Sequence, residues 1–152
     1  MKQIIPVLIV AVTAAAAGCG GETTMPKPVD CTSVADTTQP ATVSFQNDIR
    51  PLFLADLDGG YGCGDSDCHG GILISSDYSV DTYESLLEQG EQARDLGICS
   101  IKPGDPDASY FYRKLSNASG IAGVPMPFGK PLMDQEDRET VRVWILEGAR
   151  NN

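Results

Sequence analysis

Two cysteines and the only histidine of this 152-residue chain fall within the segment Cys63–His69. The run reads Cys-Gly-Asp-Ser-Asp-Cys-His, so the imidazole directly follows the second thiol. No other position in the chain can supply an imidazole. This cysteine–histidine loop, residues 63–69, therefore singles out one place for any chemistry that the fold supports.

The spacing within the loop indicates attachment of a haem. A Cys-x-x-Cys-His run is the signature of c-type haem, and here the spacer is four residues long instead of two. Each thiol can add to one vinyl group, and the adjacent imidazole is then close to the iron. We predict one covalent haem c, with Cys63 and Cys68 as thioether sites and His69 as proximal ligand. The competing interpretation pairs Cys63 with Cys68 in a disulfide.

A second iron ligand has to be another residue type, because the histidine is already used. Met126 lies between Pro125 and Pro127. Prolines fix φ and stiffen a loop, which helps to hold a weakly donating thioether on iron. Met133, at the entry of the last predicted helix, is the second candidate, and water or another group is the third. We predict Met126 as distal ligand, which would raise the reduction potential.

The N-terminus has the pattern of an export signal. Lys2 precedes an apolar run from Ile4 to Ala17, which is too short to span a bilayer and is typical of a signal peptide. The run ends in Ala16-Ala17-Gly18-Cys19, which resembles a bacterial lipobox. We predict a lipoprotein signal peptide at 1–18, lipidation of Cys19, and a location in the periplasm or cell envelope. The alternative is an ordinary cleaved signal with a stray cysteine.

The other cysteines fit an exported chain, because disulfides form in oxidising compartments. With Cys19 lipidated and two cysteines joined to haem, Cys31 and Cys99 remain. They are an even number and allow one disulfide. A zinc site formed by the loop and Cys99 is a weaker alternative, because a second Cys-x-x-Cys pair is missing and the compartment is oxidising.

The charge of the chain excludes one class of partner. It has 21 acidic and 11 basic residues and a formal net charge of −10. Removal of the leader, which contains Lys2 and no acid, makes the charge one unit more negative. Such a chain repels nucleic acid and anionic lipid headgroups. It suits a partner with a basic docking face, although solubility alone explains the charge equally well.

Beyond the leader, the sequence divides into a tether and one domain. Residues 19–42 have no apolar period and no aromatics, which predicts a flexible tether. Residues 43–150 predict a small all-α domain, since the only strand signal is a short run at 71–75. Four helices are expected: the first follows Ser44, and the others begin at Asp81, at Asp105 and near Asp134.

Each predicted helix carries signals at its ends. Pro51 interrupts the backbone ladder of the first helix. Asp81 and Glu84 are spaced as a capping box for the second, and Gly90 is its expected C-cap. Gly148 is expected to end the fourth.

Several stretches, taken in order, resemble the small c-type cytochrome domains of exported planctomycete and myxobacterial proteins. The order is specific although no single stretch is, and relatives with longer cysteine spacers occur. The stretches are Val43–Phe53, Cys68–Gly71, Pro103–Tyr110, Lys114–Leu115, Met126–Pro127 and Val143–Ala149.

The resemblance implies a cytochrome c fold, in which the first and last helices cross beside the haem. It also implies the ligand set described for Cys63, Cys68, His69 and Met126. Similar proteins often carry a second cysteine just before the Met-Pro pair, and this chain has none there.

The missing cysteine leaves Cys99 without its usual partner. Cys31 is the substitute that we expect, and a free thiol at Cys99 is the alternative.

We expect a lipid-anchored monohaem electron carrier whose partners are redox proteins. It is not expected to be an enzyme, because no catalytic constellation accompanies the one committed histidine. One alternative is a haem-based sensor or small-ligand binder with a labile distal methionine. Another is a haem-free, disulfide-held interaction module on a cytochrome-like fold.

Overall fold

A computed structural model describes residues 29–54, 60–71 and 75–152. Within these ranges all regular elements are helices, and the one β-bridge, between Cys99 and Ser109, is isolated. The all-α class is therefore confirmed for this part of the chain, in which no helix could cross a membrane by its length and hydropathy. The signal peptide, Cys19, the start of the tether and most of the strand signal at 71–75 lie outside the described residues.

The first helical segment changes type at its middle. Phe45–Ile49 forms a π-helix and Arg50–Phe53 a 3₁₀-helix. The hydroxyl of Ser44 accepts a hydrogen bond from the backbone N–H of Asn47 at 3.3 Å, as an N-cap does. Pro51 has no N–H to continue the ladder, so the predicted interruption is confirmed.

Helix α1, Tyr83–Leu87, begins later than predicted. Thr82 is its N-cap: the Thr82 hydroxyl accepts from the backbone N–H of Ser85, and the Ser85 hydroxyl accepts from that of Thr82, both at 3.1 Å. The capping box predicted one residue earlier is therefore wrong. The carboxylate of Asp81 instead accepts a hydrogen bond from the backbone N–H of Gly71 at 3.1 Å.

Helix α2, Glu91–Leu96, is absent from the sequence prediction. Gly90, the expected C-cap of the preceding helix, is the N-cap of α2. The helix buries only Ala93, so no apolar stripe marks it in the sequence. It ends at Gly97, whose φ of 64° is the left-handed conformation that glycine accepts most easily.

Helix α3, Tyr110–Leu115, also begins later than predicted. Asp105 forms a turn instead, in which its carboxylate accepts from the backbone N–H of Ala108 at 3.0 Å. The buried hydroxyl of Ser109 donates to the carbonyl oxygen of Asp105 at 2.8 Å. These local bonds compete with a helical ladder, which is the known effect of Asp and Ser beside a helix start.

Helix α4, Gln135–Leu146, follows Asp134 as predicted and packs against the first helical segment. Val141, Trp144 and Ile145 form its buried face. The ring of Trp144 lies 5.7 Å from the ring of Phe45. Burial of an aromatic side chain of this size stabilises the fold by about 3 kcal/mol, so this contact fixes the first and last helices against each other.

A disulfide fastens the N-terminal segment to the domain. Cys31 and Cys99 are bonded, with their Cα atoms 5.6 Å apart. The amide of Gln89 supports the junction: its nitrogen contacts the sulfur of Cys31 at 2.9 Å, and its oxygen accepts from the backbone N–H of Ser100 at 2.6 Å. The bridge therefore attaches the segment to the chain that leads into α3.

Two further contacts continue this attachment. The backbone N–H of Val34 donates to the carbonyl oxygen of Pro103 at 2.9 Å. The carboxylate of Glu147 accepts from the backbone N–H and the hydroxyl of Thr42, at 3.0 and 2.6 Å. Within the predicted tether, 19–42, the residues Cys31, Val34 and Thr42 thus contact the domain.

Candidate functional site

A cavity of about 360 Å³ is lined by the cysteine–histidine loop, by helices α2 and α3, and by the segment around Met126. This volume falls within the ~300–1,000 Å³ typical of ligand and cofactor sites. Apolar side chains make up most of the wall, as a flat hydrophobic group requires. The structure thus brings Cys63, Cys68, His69 and Met126 to one cavity.

The cysteine–histidine loop is folded by hydrogen bonds of its own backbone. The N–H of Cys68 donates to the carbonyl oxygen of Asp65 at 2.9 Å, and that of His69 to the carbonyl oxygen of Cys63 at 3.1 Å. Gly70 N–H also donates to Asp65, at 3.3 Å. These bonds form a compact turn, so both cysteines reach the cavity wall despite the longer spacer.

Gly70 permits this turn to close. A Cβ atom at this position would lie 2.2 Å from the carbonyl oxygen of Gly64, a distance that no side chain tolerates. The close approach at Gly70 is thus between two parts of the loop itself.

The imidazole of His69 is oriented by one hydrogen bond. Its Nδ1 lies 2.7 Å from the carbonyl oxygen of Tyr78. Because a carbonyl can only accept, Nδ1 carries a proton, so in the neutral imidazole Nε2 is the nitrogen whose lone pair can bind a metal. The ring of Tyr78 meets the imidazole edge-on, with centroids 5.9 Å apart.

Tyr78 is itself held in place. Its hydroxyl donates to the carbonyl oxygen of Leu86 in α1 at 2.6 Å, and burial raises the pKa of this phenol. The residue that orients His69 is therefore anchored to a helix and stays neutral.

The two methionine candidates occupy different places. Met126 lies partly exposed on the cavity wall. Met133 is fully buried in the hydrophobic core and does not line the cavity. Of the methionines within the described residues, Met126 alone is placed to reach a group in the cavity.

Lys114 of α3 is a functional candidate that the sequence reasoning missed. It is a buried cation, 8% exposed, on the cavity wall. Its ammonium group donates to the carbonyl oxygen of Ala122, at 2.9 Å, and to that of Val124. Burial lowers the pKa of Lys114. A lysine on a short helix gives no signal for such a role, because lysine side chains normally extend into water.

Tyr61 is a second residue whose role the sequence reasoning missed. It connects the chain beside the cysteine–histidine loop to α4. Its hydroxyl donates to the carboxylate of Asp137 at 2.5 Å and accepts from the backbone N–H of Asp134 at 3.1 Å. Burial, followed by the bond to Asp137, raises the pKa of Tyr61. The start of α4 therefore holds the edge of the cavity beside Cys63.

The other cysteine arrangements receive little support. Cys68 carries a free thiol, so the structure lacks the Cys63–Cys68 disulfide of the haem-free interpretation. Cys99 is disulfide-bonded and is not available to zinc. Across the described ranges, no group of three or more His, Cys, Asp or Glu side chains could hold a metal ion. A haem iron needs fewer protein donors, because the porphyrin supplies most of its ligands.

No protein-family model matches this chain, and no curated protein is detectably similar to it in sequence.

Proposed function

We propose that the protein is a monohaem c-type cytochrome that transfers electrons in the cell envelope, held there by lipid on Cys19. One observation carries the proposal. The same apolar cavity is lined by two cysteines and a histidine of the cysteine–histidine loop and by a methionine from a distant part of the sequence: Cys63, Cys68, His69 and Met126. Two thiols can form the covalent bonds of a c-type haem, and imidazole and methionine sulfur are the iron ligands of cytochromes c.

The residues of the cavity fit a haem. The sulfurs of Cys63 and Cys68 would bear the thioether bonds, Nε2 of His69 would take the proximal position, and the thioether of Met126 the distal one. The fit of His69 is the best supported, because Tyr78 already holds its tautomer. A bound haem would supply one-electron exchange between ferric and ferrous iron.

The chain itself has simple tasks in this function. His69 and Met126 would bind the iron in both oxidation states, so that little rearrangement would accompany a change between them. Apolar residues such as Phe111 and Leu115 exclude water from the cavity. Electron transfer of this kind would need no group to move a proton.

The experiment that tests the proposal is a pyridine haemochrome spectrum. The full chain is expressed with a cytochrome c maturation system, beside the Cys63→Ser/Cys68→Ser double variant as matched control. We expect a c-type spectrum that remains with the wild-type chain after acid–acetone extraction, and none from the control. A haem-free wild-type product, or haem that extracts freely, would refute the proposal.

A further inference from the structure

We infer that Lys114 is a positioning residue, which together with Tyr110 clamps the segment 122–126 and thereby keeps the thioether of Met126 at the cavity. The inference rests on the proposed function, because it concerns the distal ligand of a haem. The two clamp residues lie one turn apart on α3, so they present their side chains on the same face.

The clamp holds the segment at both of its ends. At its start, the backbone N–H of Ala122 donates to the hydroxyl of Tyr110 at 2.9 Å, and the carbonyl oxygen of Ala122 accepts from Lys114 at 2.9 Å. At its end, the backbone N–H of Met126 donates to the carbonyl oxygen of Lys114 at 2.9 Å. Both ends are therefore tied to α3.

Packing alone would not hold this segment. Val124 is 48% exposed, and Gly123 has a φ of 67° and no neighbour that a Cβ atom would meet. Only Met126 within it packs against the core. The hydrogen bonds to α3 are accordingly the main restraint on where the thioether lies.

Because Lys114 is buried, its ammonium group depends on these hydrogen bonds. An ammonium group taken out of water is costly unless its protons are bonded. Among the described residues no acidic side chain forms an ion pair with Lys114, and its bonds are to carbonyl oxygens of the segment. Its ring contact, 5.9 Å above Tyr110, completes the arrangement. The ammonium group of Lys114 thus donates its hydrogen bonds to the segment 122–126.

The test compares Lys114→Met, which keeps most of the side-chain volume but has no donors, with Lys114→Arg, which keeps charge and donors. Lys102→Met is the matched control, because it removes a lysine that does not line the cavity. Amide hydrogen exchange of Ala122 and Met126 is measured in the matured proteins, together with the near-infrared methionine–iron(III) band and carbon monoxide binding to the ferrous form.

In Lys114→Met, we expect exchange at Met126 to accelerate about tenfold or more, since charge-assisted hydrogen bonds are lost. The acceptor of that amide is a backbone oxygen that the substitution keeps, so faster exchange reports movement of the whole segment. The near-infrared band should disappear and carbon monoxide should bind at neutral pH. Lys114→Arg should restore the band, and Lys102→Met should behave as wild type.

Unchanged exchange at Met126 in Lys114→Met, with the band retained, would overturn the inference while the proposed function stands. If the wild type carries no haem, the proposed function fails, and the exchange rates alone decide whether the clamp exists. If Lys114→Met does not fold, Tyr110→Phe replaces it, because it removes one hydroxyl and little volume. Faster exchange at Met126, whose acceptor that variant keeps, supports the clamp, and equal exchange at Met126 overturns it.

Discussion

The two walls of the cavity are built in different ways. On the wall that carries His69, the backbone of the cysteine–histidine loop bonds to itself, between residues close in sequence. On the wall that carries Met126, the chain is held by side chains of α3, from Tyr110 and Lys114. The first wall is a local structure and the second is a tertiary one. Substitutions in the two walls should therefore have different effects on haem ligation and stability. The walls also differ in how much of their structure the sequence predicts.

Removal of each proposed iron ligand gives the largest expected difference between the walls. His69→Ala should abolish low-spin haem, because the chain contains no other imidazole. Met126→Ala should leave haem attached, remove the near-infrared methionine band, and lower the potential by about a tenth of a volt, within the ~0.8 V that axial ligands span. Absorbance spectra and redox titration measure both effects. An unchanged spectrum in either variant would refute that ligand assignment.

Loss of the disulfide between Cys31 and Cys99 should have the next largest effect, and this disulfide lies near the second wall. Ser100, which lines the cavity, directly follows Cys99. The bridge closes a sequence separation of 68 residues, and a cross-link of that span stabilises a fold by about 4 kcal/mol. Cys31→Ser/Cys99→Ser should lower the free energy of unfolding by that amount in urea titrations. Reduced wild-type protein is the control and should match the variant; a loss below about 1 kcal/mol would contradict the prediction.

A substitution at Gly70 tests the local wall. Gly70→Ala forces a methyl group against the backbone of Gly64, and overpacking of this severity costs about 3 kcal/mol. Gly71→Ala is the matched control: its Cβ atom would have room, with the nearest atom 3.8 Å away, but its φ is 74°. That conformation costs an alanine about 1 kcal/mol. Urea unfolding should rank the two accordingly, and equal effects would show that the loop is not closed at Gly70.

The smallest effect is expected at Glu147, which joins the N-terminal segment to the end of α4. Burial raises the pKa of its carboxyl, but the hydrogen bonds from Thr42 and Val43 lower it more, and the net shift is downward. This contribution is therefore complete above the unfolded pKa of ~4.3 and is lost as the pH falls through the lower folded pKa. Glu147→Gln should cost about 1 kcal/mol at pH 7.

The pH dependence of that loss gives the decisive measurement. Wild type and Glu147→Gln should converge in stability as the pH falls to ~3, because the wild-type carboxyl is then becoming protonated. Glu139→Gln is the control, since Glu139 forms an exposed ion pair with Arg142 and should change little. A constant difference between wild type and Glu147→Gln at both pH values would contradict the assigned role.

The contrast between the walls also explains what the sequence could predict. The start of α4 after Asp134 and the break at Pro51 follow from local signals, and both agree with the structure. The cysteine–histidine loop is likewise a short run of neighbours, so its cysteines and histidine could be grouped from the sequence alone.

The parts that escaped prediction depend on contacts between distant residues. Helix α2 buries only Ala93 and so has no apolar period. Lys114 and Tyr61 have roles that come from partners elsewhere in the chain, Val124 and Asp137 among them. No spacing rule encodes such contacts, because they exist only once the helices have packed.

The disulfide between Cys31 and Cys99 also limits how far the domain could lie from the proposed lipid on Cys19. An extended chain spans at most about 3.5 Å per residue, so the segment 20–42, if fully free, would carry the domain up to about 80 Å from a lipid on Cys19. With Cys31 bonded to the domain, the limit is set by the twelve residues from 20 to 31 and falls to about 40 Å. If Cys19 bears the proposed lipid, the disulfide would thus halve the radius within which the domain could meet a partner. It would confine exchange to proteins on or close to the same membrane surface.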